Sequence, residues 1–300
     1  MSEHKSSPLP PRPEHSEQTG EIVPTASEGR KKEPTEESRR RMRKRLTIGL
    51  AAILAAAVVV AAVMLLSPSR RAEVFDGLPR HYTYQEAAQS GLPTLHMLEV
   101  SPEDIKLRAD RLPLRQIPAY GINGGFFYQH DLLSIAVMND MPVNGERGAY
   151  GSGWFNAKYA RGTLVWDGAA RKFSVQVVSS ADELHVTDRS RYWAQGGVSL
   201  KLSDEAGWAA QSLNEHLPFA ADERLRSALV YNDQGRLWLV VTPDVSTAEK
   251  FRQALVRGVP GSGREGIFLD GDGSSQMNAA ESVLTGDSRM VVQMISVQTQ

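Results

Sequence analysis

Residues 228–242 read Ala-Leu-Val-Tyr-Asn-Asp-Gln-Gly-Arg-Leu-Trp-Leu-Val-Val-Thr. Two apolar runs, 228–232 and 237–242, flank Asp233-Gln234-Gly235, and that turn chemistry predicts a β-hairpin. Working outward, strands are expected over 95–100 and 105–109 around the turn Ser101-Pro102-Glu103-Asp104. Another pair, 163–166 and 173–178, surrounds Asp167-Gly168, and single runs cover 266–269 and 290–297. One helix is signalled by a capping box of Ser246 and Glu249, an apolar face of Phe251, Ala254 and Leu255, and a stop at Gly258. A second helix is expected from Glu205 to about Leu217. No repeat of 20–50 residues interrupts this order. It predicts an α+β fold, a mostly antiparallel or mixed β-sheet with a few packed helices.

The whole chain has 300 residues, 34 Lys and Arg against 35 Asp and Glu, and no cysteine. Missing thiols exclude disulfide scaffolds, thiolate zinc sites, iron–sulfur clusters and cysteine nucleophiles. A net charge of −1 gives no global attraction to nucleic acid. The average hides an asymmetry. Residues 1–45 hold 11 basic and 8 acidic residues, six Pro and no aromatic residue. Such a segment cannot bury enough apolar surface to offset its ordering entropy, so a disordered basic tail is expected.

Residues 46–66 form an apolar run interrupted only by Thr47 and Gly49. At about 1.5 Å per residue it reaches roughly 30 Å, the thickness of a bilayer core. A single transmembrane helix is therefore expected, followed by a linker over 67–74 and an exported domain over 75–300. Arg39-Arg40-Arg41-Met42-Arg43-Lys44-Arg45 precedes the run, while only Arg70 and Arg71 follow closely. The positive-inside rule then keeps the N-terminus in the cytoplasm and makes the lipid bilayer a partner through 46–66. The same basic run has a rival reading as a nucleic-acid patch; its position against the span makes it a topology signal, and no nucleic-acid partner is expected.

Three stretches of the exported part carry more glycine and small polar residues than turns need. Gly121-Ile122-Asn123-Gly124-Gly125-Phe126-Phe127 ends a strand where glycines allow backbone N–H groups to approach a ligand, or else forms a plain hairpin turn. Arg226-Ser227-Ala228 opens the quoted hairpin, and arginine can clamp a phosphate with two parallel hydrogen bonds or simply end a strand in solvent. Gly266-Ile267-Phe268-Leu269-Asp270-Gly271-Asp272-Gly273-Ser274-Ser275 runs from an apolar strand into a carboxylate and a loop of donors. That arrangement suits a phosphorylated or hydroxylated substrate. The seven histidines show no metal spacing. Trp154, Trp166, Trp193, Trp208 and Trp238 read as core, with Trp193 near Gly196 also placed to stack on a sugar ring.

Together the three stretches resemble the phosphodiester glycosidase family, the family of the N-acetylglucosamine-1-phosphodiester alpha-N-acetylglucosaminidases. Its pattern is Asn-Gly-Gly-Phe-Phe, then Arg-Thr-Ala before a hairpin, then Leu-Asp-Gly-Gly-Gly-Ser-Ser. Asn123 to Phe127 match in full, and Arg226, Ala228, Leu269, Asp270, Gly271, Gly273 and Ser274 match. Asp244 resembles the aspartate of a further Asp-Gly step, and Gln195-Gly196-Gly197 resembles another glycine step. The resemblance covers roughly 95–300. It departs at Ser227 for threonine, Val245 for glycine, Asp272 for glycine and Gln276 for threonine.

The resemblance implies hydrolysis of the bond between a sugar C1 and an esterified phosphate. It casts Asp270, Arg226 and Asn123 as catalytic residues. Substrate would be held by Gly124, Gly125, Gly271, Gly273, Ser274, Ser275, Asp244, Gly196 and Gly197; Asp272, which departs from the pattern, is expected to act as a modulator through its added charge beside Asp270. The substrate would be a sugar phosphate, and no cofactor would be required; the expected exported location, rather than the resemblance, points to a surface glycopolymer in cell-surface polymer or exopolysaccharide metabolism. Two other readings stay open. One is an inactive carbohydrate- or wall-polymer-binding protein on the same fold. The other is a calcium loop of Asp270, Asp272, Ser274, Asn278 and Glu281, which has Ser275 where the turn glycine belongs.

Overall fold

The structure, a computed structural model, describes residues 77–298, together with Glu36, Glu37, Arg40, Gly49 and Phe75. The expected basic tail, span and linker otherwise lie outside the described residues. Among the described residues no helix is long and apolar enough to cross a membrane. The chain divides into two units, 1–67 and 68–300, and everything below concerns the second.

In chain order the first strands are β1 (Tyr82–Ala87), β2 (Leu95–Val100), β3 (Ile105–Arg108), β4 (Tyr120–Asn123), β5 (Phe127–Tyr128) and β6 (Asp131–Leu132). Next come β7 (Ala136–Met138), β8 (Met141–Pro142), β9 (Arg161–Asp167), β10 (Lys172–Val178), β11 (Tyr192–Gly196) and β12 (Val198–Ser199). Helix α1 (Glu205–Asn214) precedes β13 (Ser227–Tyr231) and β14 (Leu237–Val241). Helix α2 (Ala248–Gly258) is followed by β15 (Glu265–Phe268), β16 (Met277–Asn278), β17 (Val283–Leu284) and β18 (Met294–Val297).

A six-stranded sheet runs β1-β2-β14-β13-β15-β12, and two five-stranded sheets run β10-β9-β11-β7-β8 and β17-β16-β4-β18-β3. Every ladder between these strands is antiparallel. The fold is thus α+β, and the hairpin at the quoted stretch pairs Ser227 with Val241 and Tyr231 with Leu237.

That hairpin is apolar without alternation because both of its faces are buried. Leu237, Leu239 and Val241 pack with Leu229, Ile122 and Ile295 on one side. Trp238 and Val240 pack with Ala228, Val230, Phe251 and Leu255 under the helices on the other. All five tryptophans are buried, and the Trp193 Nε1–H donates to the Pro102 carbonyl at 2.9 Å, so that ring stacks on no sugar.

Two expectations at the helices need correction. Thr247, not Ser246, caps α2, accepting from the Lys250 N–H. Ser246 instead exchanges backbone bonds with Arg224, and Glu249 accepts from Trp208 Nε1 at 2.6 Å, tying α2 to α1. Helix α1 ends at Asn214, shorter than expected, because the chain turns left-handed at His216. Strand β18 likewise begins only at Met294, the preceding residues forming a loop.

Candidate active site

Past the end of β15, the Leu269 N–H donates to the Ser227 carbonyl at 2.9 Å, extending the pairing with β13 by one residue. Asp270 follows at the seam between two sheets. Its N–H reaches the Gly124 carbonyl at 3.3 Å, and its own carbonyl accepts from Asn123 Nδ2 at 2.8 Å. A carboxylate is therefore held by its backbone from the loop after β4 as well as from β15. Its side chain lines a cavity of about 160 Å³ with Phe126, Phe268, Arg224, Arg226, Asp272 and Arg289. Leu217, Pro218 and Phe219 form the rim on the loop after α1.

Burial is the largest influence on Asp270 and pushes its carboxyl up to about 6. Hydrogen bonds from the Ser274 hydroxyl and the Gly271 N–H, and the Arg289 charge, work in the opposite direction. A carboxylate of this kind is half protonated near pH 6. It is a better base than an ordinary aspartate and still ionised at neutral pH.

Asn123 is 1% exposed and its amide is fully engaged. Nδ2 donates to the Asp270 and Gly124 carbonyls; Oδ1 accepts from Ser227 Oγ at 2.8 Å and the Gln276 N–H at 3.1 Å. Both Gly124 and Gly125 donate to Gln293, at its carbonyl (2.9 Å) and its Oε1 (3.1 Å). A Cβ at Gly124 would stand 2.3 Å from Gln293 Oε1, and one at Gly125 2.6 Å from Ser134 Cβ. Close packing under the site requires these glycines, and their N–H groups are already engaged within the protein.

Arg226 is 5% exposed and donates three times to backbone carbonyls. Nε bonds Ser246 at 3.2 Å, and Nη2 bonds Phe219 at 2.7 Å and Asp222 at 2.9 Å. Burial first, and the neighbouring Arg224 charge second, lower its pKa to about 10. It remains a cation at neutral pH, but most of its fork holds the rim loop.

Asp272 adopts φ 56°, the left-handed region that glycine occupies freely and aspartate tolerates. This backbone accounts for the glycine of the resembled pattern at that position. The added charge is met by Arg224, whose Nη1 lies 3.3 Å from Asp272 Oδ2 and whose Nη2 lies 3.2 Å from Asp222 Oδ2. Gly273 has no room for a side chain, since a Cβ would stand 2.1 Å from Asp287 Oδ2. Asp287 in turn pairs with Arg289 at 2.5 Å. Ser275 is buried, and its hydroxyl has no partner among the described residues.

Other expected site residues fall elsewhere. Gly196 and Gly197 donate to the Ile135 and Gly162 carbonyls, and a Cβ on Gly197 would meet the Phe268 carbonyl at 2.0 Å. Asp244 is exposed and accepts from the Thr94 N–H at 2.7 Å, away from the cavity wall. The calcium-loop residues diverge. Asn278 Nδ2 donates to the Ile117 carbonyl at 3.2 Å and the Ala119 carbonyl at 3.1 Å, while Glu281 faces Arg80 and Tyr82. Among the described residues no group of three His, Cys, Asp or Glu could hold a metal ion.

Arg224, Arg289 and Phe219 carry no motif in the sequence, and Phe126 stands there only within the Asn123–Phe127 match, although all four line the cavity. Arg224 had a signal: in Arg224-Leu225-Arg226 two arginines share one side of an extended segment. A wider depression of about 630 Å³ lies over Arg80, Glu99, Glu103, Arg171 and Arg236. Its arginines are ion-paired, Arg171 to Glu103 at 2.9 Å and Arg236 to Glu99 at 3.0 Å, and it contains none of the expected site residues.

No family model matches the chain, and no curated protein matches it. Among solved structures, one similar fold is the zebrafish N-acetylglucosamine-1-phosphodiester alpha-N-acetylglucosaminidase catalytic domain, auto-inhibited by its pro-peptide. The TM-score is 0.53 at 14% identity, over 76% of this chain and 93% of that one. A hypothetical protein from Synechocystis gives a TM-score of 0.39 at 13% identity, over 73% of this chain and 62% of the other. The zebrafish likeness is one of fold.

Proposed function

We propose that the chain is a hydrolase that releases a sugar from a glycosyl-1-phosphodiester. The observation that carries this reading is Asp270, a carboxyl pushed up to about 6 in a small cavity that Arg224 and Arg289 also line. The zebrafish domain's name describes a phosphodiester substrate of this chemistry, and the fold likeness supports the reading.

Water attacks C1 as the C1–O bond breaks, and the bonding pair leaves on the phosphate oxygen as a phosphomonoester. That leaving group is a weak base and needs little protonation. Positive charge on C1 is stabilised by the Asp270 carboxylate, which also takes the proton from water. Arg224 and Arg289 offset the charge gathering on the phosphate. Asn123 and Ser274 hold Asp270 in place, and Arg226 holds the rim.

The ionised form of Asp270 does the work in this scheme. Turnover is expected to fall about tenfold per pH unit below pH 6 and to level off above it. A kcat/KM profile on a cleaved diester checks this. Activity that instead declined above pH 6 would make Asp270 a proton donor.

The enzyme is further read as anchored in the cell membrane through 46–66, with the catalytic unit outside acting on surface glycopolymer. The apolar length of that run and the Arg39–Arg45 cluster support this. Protease added to intact cells should digest the catalytic unit and spare residues 1–45. Protection of the catalytic unit until the membrane is permeabilised would reverse the topology.

A further inference from the structure

Resting on the hydrolysis reading, the geometry points to Asp272 as the residue that keeps the phosphomonoester product from lodging among the arginines of the cavity. Charge sets the problem. A phosphodiester carries one negative charge, whereas a phosphomonoester, with a second ionisation at about pH 6, carries close to two at neutral pH. Arg224, Arg226 and Arg289 line a cavity of about 160 Å³. In so small a space, bare guanidinium groups would hold the doubly charged product more tightly than the substrate.

These arginines are not bare. Arg224 lies between Asp272, at 3.3 Å, and Asp222, at 3.2 Å. The Arg289 Nε lies 2.9 Å from each oxygen of Asp287. Arg226 donates to the Phe219, Asp222 and Ser246 carbonyls. With Asp270, four carboxylates thus meet three guanidinium groups. Asp222 and Asp287 do not line the cavity; Asp270 and Asp272 do. Asp270 serves C1 in the proposed reaction, which leaves Asp272 to face the phosphate.

The main chain fixes Asp272 there. Its N–H donates to the Leu225 carbonyl at 2.8 Å, and its carbonyl accepts from the Ser275 N–H at 3.0 Å. Its side chain is half-exposed, so the carboxylate stands where solvent and a departing phosphate meet the cavity. A carboxylate repels a dianion about twice as strongly as a monoanion at the same distance. Breaking C1–O therefore turns a tolerated ligand into a repelled one. Glycine, the residue of the resembled pattern at this position, supplies no such charge.

The full-length protein is titrated calorimetrically with methyl phosphate and with dimethyl phosphate, at pH 7.5 and at pH 5. Cleavage of the methyl diester of N-acetylglucosamine-1-phosphate is followed alongside. Asp272→Asn keeps the side-chain shape, and Asp272→Gly suits the left-handed backbone. Each should raise affinity for methyl phosphate roughly tenfold more than affinity for dimethyl phosphate at pH 7.5. At pH 5 the difference should shrink to about twofold or less, because both ligands then carry about one charge. A gain equal for the two ligands, or a difference that persists at pH 5, overturns the role of Asp272. So does failure of both variants to bind methyl phosphate. In either case a cleaved diester leaves the hydrolysis reading standing. If the affinities shift as expected and wild type does not cleave the diester, selection by charge stands and the hydrolysis reading falls.

Discussion

Asp270→Asn is expected to lose turnover by roughly 10³-fold or more while making the protein more stable at neutral pH. The two effects have one cause. The Asp270 carboxyl is raised to about 6, so the fold favours its protonated form. That contribution is fully present below about pH 4, the unfolded value, and is lost as pH rises through 6. At pH 7.5 wild type therefore carries an unfavourable buried charge costing on the order of 3 kcal/mol. Asparagine keeps the shape and can still accept from Ser274 and Gly271. Its Tm should exceed that of wild type by roughly 6–12 °C at pH 7.5, with the gain disappearing near pH 4. Thermal melts at the two pH values check the sign. A variant that is inactive and also less stable at pH 7.5 would place Asp270 in a structural role.

Arg226 produces the other large effect, of opposite kind. Arg226→Met removes the side-chain donor from three carbonyls, on Phe219, Asp222 and Ser246; the Phe219 and Ser246 carbonyls keep the Asp222 and Arg224 N–H, and the Asp222 carbonyl keeps none. Leaving a buried carbonyl unpaired costs about 1–3 kcal/mol, which lowers Tm by roughly 2–12 °C. Arg226→Lys keeps the charge, yet one ammonium cannot reproduce the planar fork, so it should fall between the two. If Arg226 served only to clamp phosphate, Arg226→Lys would retain the wild-type Tm and raise KM alone. Differential scanning calorimetry alongside steady-state kinetics separates the cases.

The fold was legible where chemistry is local. Strand β2 lies over 95–100 as expected, and the β13–β14 hairpin lies where its apolar runs and glycine turn put it, because burial on both faces demands continuous apolar sequence. Strands β5 to β8 are two or three residues long and carry no period to read. The cap of α2 was displaced by one residue because Ser246, Thr247 and Glu249 all suit a helix start. Tertiary demands decided among them: Arg224 takes the Ser246 backbone and Trp208 takes the Glu249 carboxylate.

The site was legible in position more than in roles. Asp270 reaches the cavity, as a carboxylate at a strand end followed by a glycine loop can be expected to do. The donors expected from Gly124 and Gly125 are engaged by Gln293, which is 168 residues further along the chain. No local pattern shows such a partner. Asn123 and Arg226 were read as facing substrate because their side chains suit it, and the packed fold uses the same hydrogen-bonding capacity internally. Arg289 and Phe219 come from loops without periodicity, and only the assembled cavity brings them beside Asp270. Asp272 departs from the resembled pattern in charge but keeps its backbone conformation, and Arg224 meets the charge.

In the proposed reaction C1–O is the bond that breaks, with phosphate as the leaving group. Running the full-length protein on an N-acetylglucosamine-1-phosphodiester in water enriched in oxygen-18, followed by mass spectrometry of both products, tests it most directly. Free sugar carrying the label at C1 and an unlabelled phosphomonoester is the expected result. Label in the phosphate, release of the sugar-1-phosphate, or recovery of intact diester with a folded protein would contradict it.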